Sequence, residues 1–162
     1  MEPEPRLQTE RCVLTPLSLA DLDEHVAASG RREDALRDTR SADGHWQRHG
    51  FGHWAVRDRM SGAFLGVAEL HLAGPGIDGI AADEVEAGWW VTESRRSEGF
   101  ATEGMRAAID DVWERARVDH IKAYIDGTNP PSERVAAKLG FVVRGPGTGR
   151  FGEPMTVYEL RR

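Results

Sequence analysis

The sequence predicts an α/β protein: one mixed central sheet of about six to seven strands, splayed, with helices on both faces. Three observations carry this. Short apolar or alternating runs are interleaved with helical patterns in the order strand, helices, three strands, helix, strand, helix, two strands. One helical run lies between the strands at residues 83–91 and 120–126, which implies a right-handed crossover and parallel pairing. The chain has 162 residues, 40% hydrophobic and 30% charged, a size and composition that suit one self-sufficient core.

Residues 1–8, with Pro3 and Pro5, read as an N-terminal arm, and residues 9–162 as a single domain. ERCVLTPL at 10–17 is a first strand. Ser18 then opens a helix whose apolar face is Leu19, Leu22 and Val26, with Asp21 in a capping-box position and Gly30 at the end. Residues 31–50 are charged and show no strong period, so one or two short helices are expected, around DALRD and DGHWQRH. Strands at 52–59 and 63–72 flank the turn signal MSG and form a hairpin. DEVEAGWWV at 83–91 is the next strand. Ala101, Met105, Ala108, Ile109, Val112 and Ala116 recur at steps of three and four, one face of a long helix. HIKAYID alternates, with Ile121, Ala123 and Ile125 on one side. PSERVAAKL is a helix with Pro131 near its start and Gly140 just past its end. FVV and MTVYEL close the chain as strands.

Lys plus Arg number 21 and Asp plus Glu 27, a formal net charge of −6. That sign argues against a nucleic-acid partner. Cys12 is the only cysteine, too few for a disulfide framework or a cysteine zinc cluster. In RCVLTPL it reads as a buried small hydrophobe. MEPEPRLQTE lacks an apolar leader, and no run approaches the roughly 18 apolar residues of a membrane span. The expectation is a cytoplasmic chain without a membrane partner. His45 and His49 are a helical turn apart, but no third ligand stands near, so no metal site is expected.

The stretch RRSEGFATEG, residues 95–104, carries the chemistry. It leaves the strand VEAGWWV and enters the long helix. The first N–H groups of a helix have no internal partner and sit at the positive end of its dipole. Gly99 permits close approach and an unusual φ, so the loop can hold an anion on its backbone. Glu98 is out of place in such a loop unless its carboxylate points away from the anion. No G-x-x-x-x-G-K-[ST] occurs, which excludes a nucleoside-triphosphate loop, and G-x-G-x-x-G falls only at residues 74–79 and 147–152, loops between expected strands that open no helix, which disfavours a dinucleotide fold.

R96-S-E-G99-F-A101, with Thr102 and Glu103, resembles the pyrophosphate loop of the GNAT superfamily of acyl-CoA-dependent N-acetyltransferases. EAGWWV resembles the strand before that loop. NPPSERVAAKLGF, residues 129–141, resembles the N-x-x-S-x-x-V-x-x-K-L-G-F element of the RimJ/RimL-type branch, the ribosomal-protein alanine N-acetyltransferases. The opening strand and helix and the closing TVYELRR are similar to that branch as well. The resemblance implies acetyl-CoA as cosubstrate. Its pantetheine would lie along Trp89, Trp90 and Val91 and its pyrophosphate on Arg96, Ser97, Glu98, Gly99, Phe100, Ala101 and Thr102, while Asn129 would reach the pantetheine arm. It implies acetyl transfer to a primary amine, a small molecule or a protein N-terminus, by direct attack on the thioester, in a monomer or homodimer. Two departures matter: Glu98 stands where a basic residue is common, and Ala136 where many members carry a proton-donating tyrosine. They keep open a second reading, a CoA-binding module without turnover that acts as a sensor or interaction partner.

Direct attack needs a base for the ammonium, a donor for the oxyanion and an acid for the sulfur. Glu86, on the strand before the loop and beside two tryptophans, is the first candidate base; Glu69 and His71 on the neighbouring strand are the second. A backbone N–H at Trp90 or Val91 is the family's oxyanion donor. Ser132 and Tyr124 are the candidate acids. Trp89 and Trp90 must face opposite sides of the sheet. His45, Trp46, His49 and Trp54 form a cluster that is either an acceptor-pocket wall or a half-buried helix face.

Overall fold

In the computed structural model, which describes residues 4–162, eight strands form one sheet in the order β1-β2-β3-β4-β5-β6-β8-β7. They are β1 (Leu7–Gln8), β2 (Cys12–Pro16), β3 (Trp54–Asp58), β4 (Phe64–Leu72), β5 (Val85–Val91), β6 (His120–Ile125), β7 (Val142–Thr148) and β8 (Pro154–Arg161). The count exceeds the expected six to seven. Within the expected arm, Leu7–Gln8 pairs with β2, and residues 1–3 lie outside the described residues. Four helices accompany the sheet: α1 (Leu22–Ser29), α2 (Arg32–His49), α3 (Phe100–Arg115) and α4 (Pro130–Leu139).

Ser18 caps a short 3-10 turn, Leu19–Asp21, rather than α1 directly. Its side chain accepts from Ala20 N–H, and Asp21 returns the bond to the Ser18 N–H. Residues 32–49 form one helix where one or two short ones were expected. Its buried positions are Ala35, Thr39, Ala42 and His45, a stripe of small and polar residues, so no hydrophobic period betrays it.

The core lies on both faces of the sheet. On one, Met105, Ala108, Ile109 and Val112 of α3 pack on Leu14, Trp54, Leu70 and Ala87. On the other, Leu17, Ala42, Ala55, Phe64 and Val67 form a second cluster that Trp90 joins. Trp89 packs with the first cluster, 6.1 Å from the Phe141 ring, and Trp90 with His25 and Phe64, so the pair straddles the sheet as the alternation requires.

All neighbouring strands are antiparallel except β5 and β6, which α3 connects as a parallel pair. They meet at one register position, Glu86 opposite Lys122, although β5 runs on to Val91 and β6 to Ile125. Beyond that point the strands diverge. The splay leaves the amides of the last part of β5 on that edge without strand partners, in the middle of the sheet.

Candidate functional site

Two cavities open at the splay. The larger, about 500 Å³, lies over the start of α3 and is bounded by the end of β5, residues 95–102 and one face of α4. The smaller, about 270 Å³, lies between β4, β5 and β6. Trp89, Asn129 and Ser132 line both. Their charges are sorted. The larger cavity has Arg95, Arg96, Arg134 and Lys138 in its wall and no carboxylate; the smaller has Glu69, Glu86 and Asp126 and no lysine or arginine.

The larger cavity follows from the loop's backbone. Gly99 is the N-cap of α3 with φ of 86°, and no side chain caps the helix. Among the described residues the first N–H groups of α3 therefore have no protein partner at the cavity wall, and the helix dipole lies behind them. Ser97 also takes a left-handed φ, 65°, a costly conformation for serine, and costly backbone of this kind collects at binding loops. Trp89, Trp90, Val91, Arg96, Ser97, Gly99, Phe100, Ala101, Thr102 and Asn129 all line this cavity; of the loop residues named from the sequence, Glu98 alone does not. Its carboxylate accepts from Arg95 Nε at 3.0 Å and its carbonyl from Arg11 Nη1 at 2.9 Å. Both guanidinium groups also lie over the Phe100 ring, Arg95 at 4.9 Å and Arg11 at 4.2 Å, so the acid is part of a clamp that shapes the loop. Arg96 donates to the Val91 carbonyl at 3.2 Å, which ties the loop to the end of β5. Asn129 caps α4: its side-chain oxygen accepts from Ser132 N–H at 3.3 Å.

The three residues named for catalysis, Glu86, Ser132 and Tyr124, come together around the smaller cavity, joined there by Glu69. Glu86 is deeply buried, with 8% of its side chain exposed. One of its oxygens is 3.2 Å from Arg150 Nη2 and 3.4 Å from His71 Nε2. Arg150 also donates to Tyr124 Oη at 2.9 Å and to the Ala73 carbonyl. His71 Nδ1 lies 3.0 Å from His53 Nε2. Burial, with His71 and His45 close by, pushes the His53 pKa well below its usual value.

Glu69 stands opposite Gly88 in the β4–β5 ladder. A Cβ on Gly88 would lie 2.5 Å from Glu69 Oε2, so the missing side chain makes the room that the carboxylate fills. No hydrogen bond reaches that carboxylate among the described residues. The dense surroundings raise its pKa to about 7, chiefly by desolvation, with Asp38 and Glu86 adding to the rise and His71 opposing it.

His45, Trp46, His49 and Trp54 line neither cavity. Trp46 and Trp54 stack edge to face at 4.9 Å, and Trp46 Nε1 donates to the His53 carbonyl. His45 accepts from Leu72 N–H, which leaves its other nitrogen to donate to the Phe51 carbonyl. These are the contacts of a packed helix face. Sequence reasoning gave no role to Arg134, Val135 and Lys138, although Pro131, Arg134, Val135 and Lys138 follow a helical period from the start of α4 and line the larger cavity. It also missed Arg150, which lies 64 positions from its partner Glu86. No local signal reports that contact.

The family of acetyltransferase (GNAT) domains matches residues 11–142. YkkB of Bacillus subtilis, itself uncharacterised, is 26% identical over 117 residues, 70% of this chain, and the match spans only 63% of that relative's length. A protein of Bordetella pertussis assigned to the GnaT family superposes with a TM-score of 0.84 at 25% identity, covering 96% of this chain and 98% of its own. Mycobacterium smegmatis RimJ, solved in complex with CoA-disulfide, shares the fold at 19% identity with a TM-score of 0.67, covering 93% of this chain and 81% of its own. The chain belongs to the GNAT acetyltransferase family.

Proposed function

We propose that this chain transfers an acetyl group from acetyl-CoA to a primary amine. One observation carries the reading: a cationic cavity on an uncapped helix N-terminus meets an acidic cavity at Trp89, Asn129 and Ser132, where β5 and β6 part. GNAT acetyltransferases use acetyl-CoA, and the larger cavity fits such a molecule in charge and form. The N–H groups of residues 99–102, with Arg95, Arg96, Arg134 and Lys138, suit a diphosphate. The unpaired edge of β5 offers N–H and C=O groups to an extended amide chain. Acetyl-CoA supplies an acyl group already activated as a thioester.

The chain's residues do the rest. Backbone N–H groups at Trp90 or Val91 stabilise the oxyanion as it forms, a fixed donor contribution of about 2.7–4 kcal/mol in comparable sites. Carboxylates of the acidic cavity attract the ammonium and take its proton. Ser132, which lines both cavities, is the better placed of the two candidate acids for the departing sulfur. Tyr124 lines only the acidic cavity, its hydroxyl engaged by Arg150. The position in register with the family's tyrosine holds Ala136, fully buried in the core. The acceptor is a small-molecule amine or a protein N-terminus.

The test is thiol release from acetyl-CoA across a panel of amines and N-terminal peptides. Release above background with at least one acceptor is expected. CoA binding by calorimetry with no release for any acceptor would replace the reading with a CoA-binding module without turnover. Absence of CoA binding would overturn both.

A further inference from the structure

Of the three carboxylates in the acidic cavity, Glu69 and Glu86 stand on adjacent strands and are differently held. Glu86 is almost fully enclosed, 3.2 Å from the Arg150 guanidinium and 3.4 Å from His71, which is itself braced at 3.0 Å by His53. Glu69 fills the space that Gly88 leaves, lines the cavity and has no hydrogen-bond donor among the described residues. One group is clamped and the other is free, on adjacent strands and the same face of the sheet.

We infer that the two divide the work: Glu69 takes the proton from the acceptor ammonium, and Glu86, anchored by Arg150 and His71, fixes that ammonium beside it. The inference rests on the acetyl-transfer reading. The proton balance is simple. The ammonium gives one proton to Glu69, and the freed nitrogen lone pair forms the N–C bond to the thioester carbon. The C–S bond breaks as Ser132 gives its hydroxyl proton to the sulfur and takes the second proton from nitrogen in its place. The products are an N-acetyl amine, a thiol and protonated Glu69, which then returns its proton to water. A carboxyl with a pKa of about 7 suits this task, because it is part ionised at neutral pH and a stronger base than an ordinary glutamate. Desolvation is the main cause of the rise; the charged groups that modify it are His71 on its own strand, Asp38 on α2 and Glu86 on β5, and Tyr124 on β6 is close enough to feel the Glu69 charge. His71 and His53 are positioning residues: they reach the substrate through Glu86.

The experiment compares Glu69→Gln, Glu86→Gln, Gly88→Ala and the parent protein in pH profiles of amine-dependent thiol release, with carboxyl-carbon NMR titration of Glu69. For the parent, kcat/KM falls on the acid side with a midpoint near pH 7, and the Glu69 carboxyl titrates in the same range. Glu69→Gln removes that limb and lowers kcat about 10²- to 10⁴-fold, with acetyl-CoA affinity unchanged. Glu86→Gln keeps the limb but moves it to lower pH, because a neighbouring negative charge is gone, and raises the amine KM about tenfold. Gly88→Ala keeps Glu69 but displaces its carboxylate, so kcat falls while the acetyl-CoA Kd holds. A limb that survives Glu69→Gln and vanishes in Glu86→Gln overturns the division alone. A parent protein that releases thiol with none of the amines overturns the acetyl-transfer reading and the division with it.

Discussion

The Glu69 carboxyl makes a stability prediction that needs no substrate. Its pKa is about 7 in the folded chain against 4.5 for an ordinary glutamate. The fold therefore prefers Glu69 protonated. Below pH 4.5 the group is neutral in folded and unfolded chains alike and contributes nothing. Between 4.5 and 7 the unfolded chain ionises first, and stability is lost as pH rises. Above 7 the full penalty stands. A rise of 2.5 units, at 1.36 kcal/mol each, sets a ceiling of about 3 kcal/mol, and water in the cavity brings the expected cost to about 1–2 kcal/mol. Glu69→Gln keeps the shape and removes the charge. At this chain length about 1 kcal/mol moves Tm by roughly 2–4 °C. Thermal unfolding of parent and variant at pH 4.5 and pH 8 should show Tm values that nearly coincide at the lower pH. At the higher pH the variant should melt later by roughly 2–8 °C. An equal gap at both pH values, or a variant that melts earlier at pH 8, would refute the reasoning. With the loss of turnover expected from the same substitution, the prediction is that the protein gives up stability at this position for reactivity.

Other outcomes follow from the loop and the sheet. Gly66→Ala would set a Cβ into the Trp90 carbonyl and 2.9 Å from Val91 Cα, forcing the end of β5 aside; with a displacement near 1 Å, acetyl-CoA turnover should drop about 100-fold, and parent-like kinetics would contradict the β4–β5 register. Gly99→Ala places a side chain at a φ of 86°, costing about 1–2 kcal/mol; calorimetry should show weakened CoA binding and a melt should show lowered Tm. Arg95→Ala removes partners from Glu98 and Asp58 and one of the cations over Phe100; CoA affinity should fall more at low salt than at high salt, and a salt-independent loss would assign Arg95 a purely mechanical role. Cys12 is fully buried, and its thiol pKa is raised to about 11 by burial; a maleimide should label it only after denaturation, and rapid labelling of the native protein would show that β2 opens.

The sequence by itself determined the local grammar of this protein. Period-two alternation put Trp89 and Trp90 on opposite faces, three- and four-residue steps drew the buried side of α3, and Pro131 with Gly140 bracketed α4. The loop at 95–104 was legible because its geometry is made of backbone and glycine within a few residues of one another. α2 was not legible as one helix, because the stripe it buries, Ala35, Thr39, Ala42 and His45, carries almost no hydrophobic signal. Nor was the strand at Leu7–Gln8, which exists only because β2 lies beside it. The two glutamates show the limit most sharply. Only the β4–β5 register, with Glu69 opposite Gly88 and His71 opposite Glu86, puts the two on one face, and nothing within reach along the chain distinguishes them. Arg150, arriving from the loop between β7 and β8, and His71, held by His53, take hold of Glu86, while Gly88 opens a berth for Glu69. A side chain's pKa and partners depend on which groups the fold brings near and how much water it leaves, and those are properties of the tertiary structure alone.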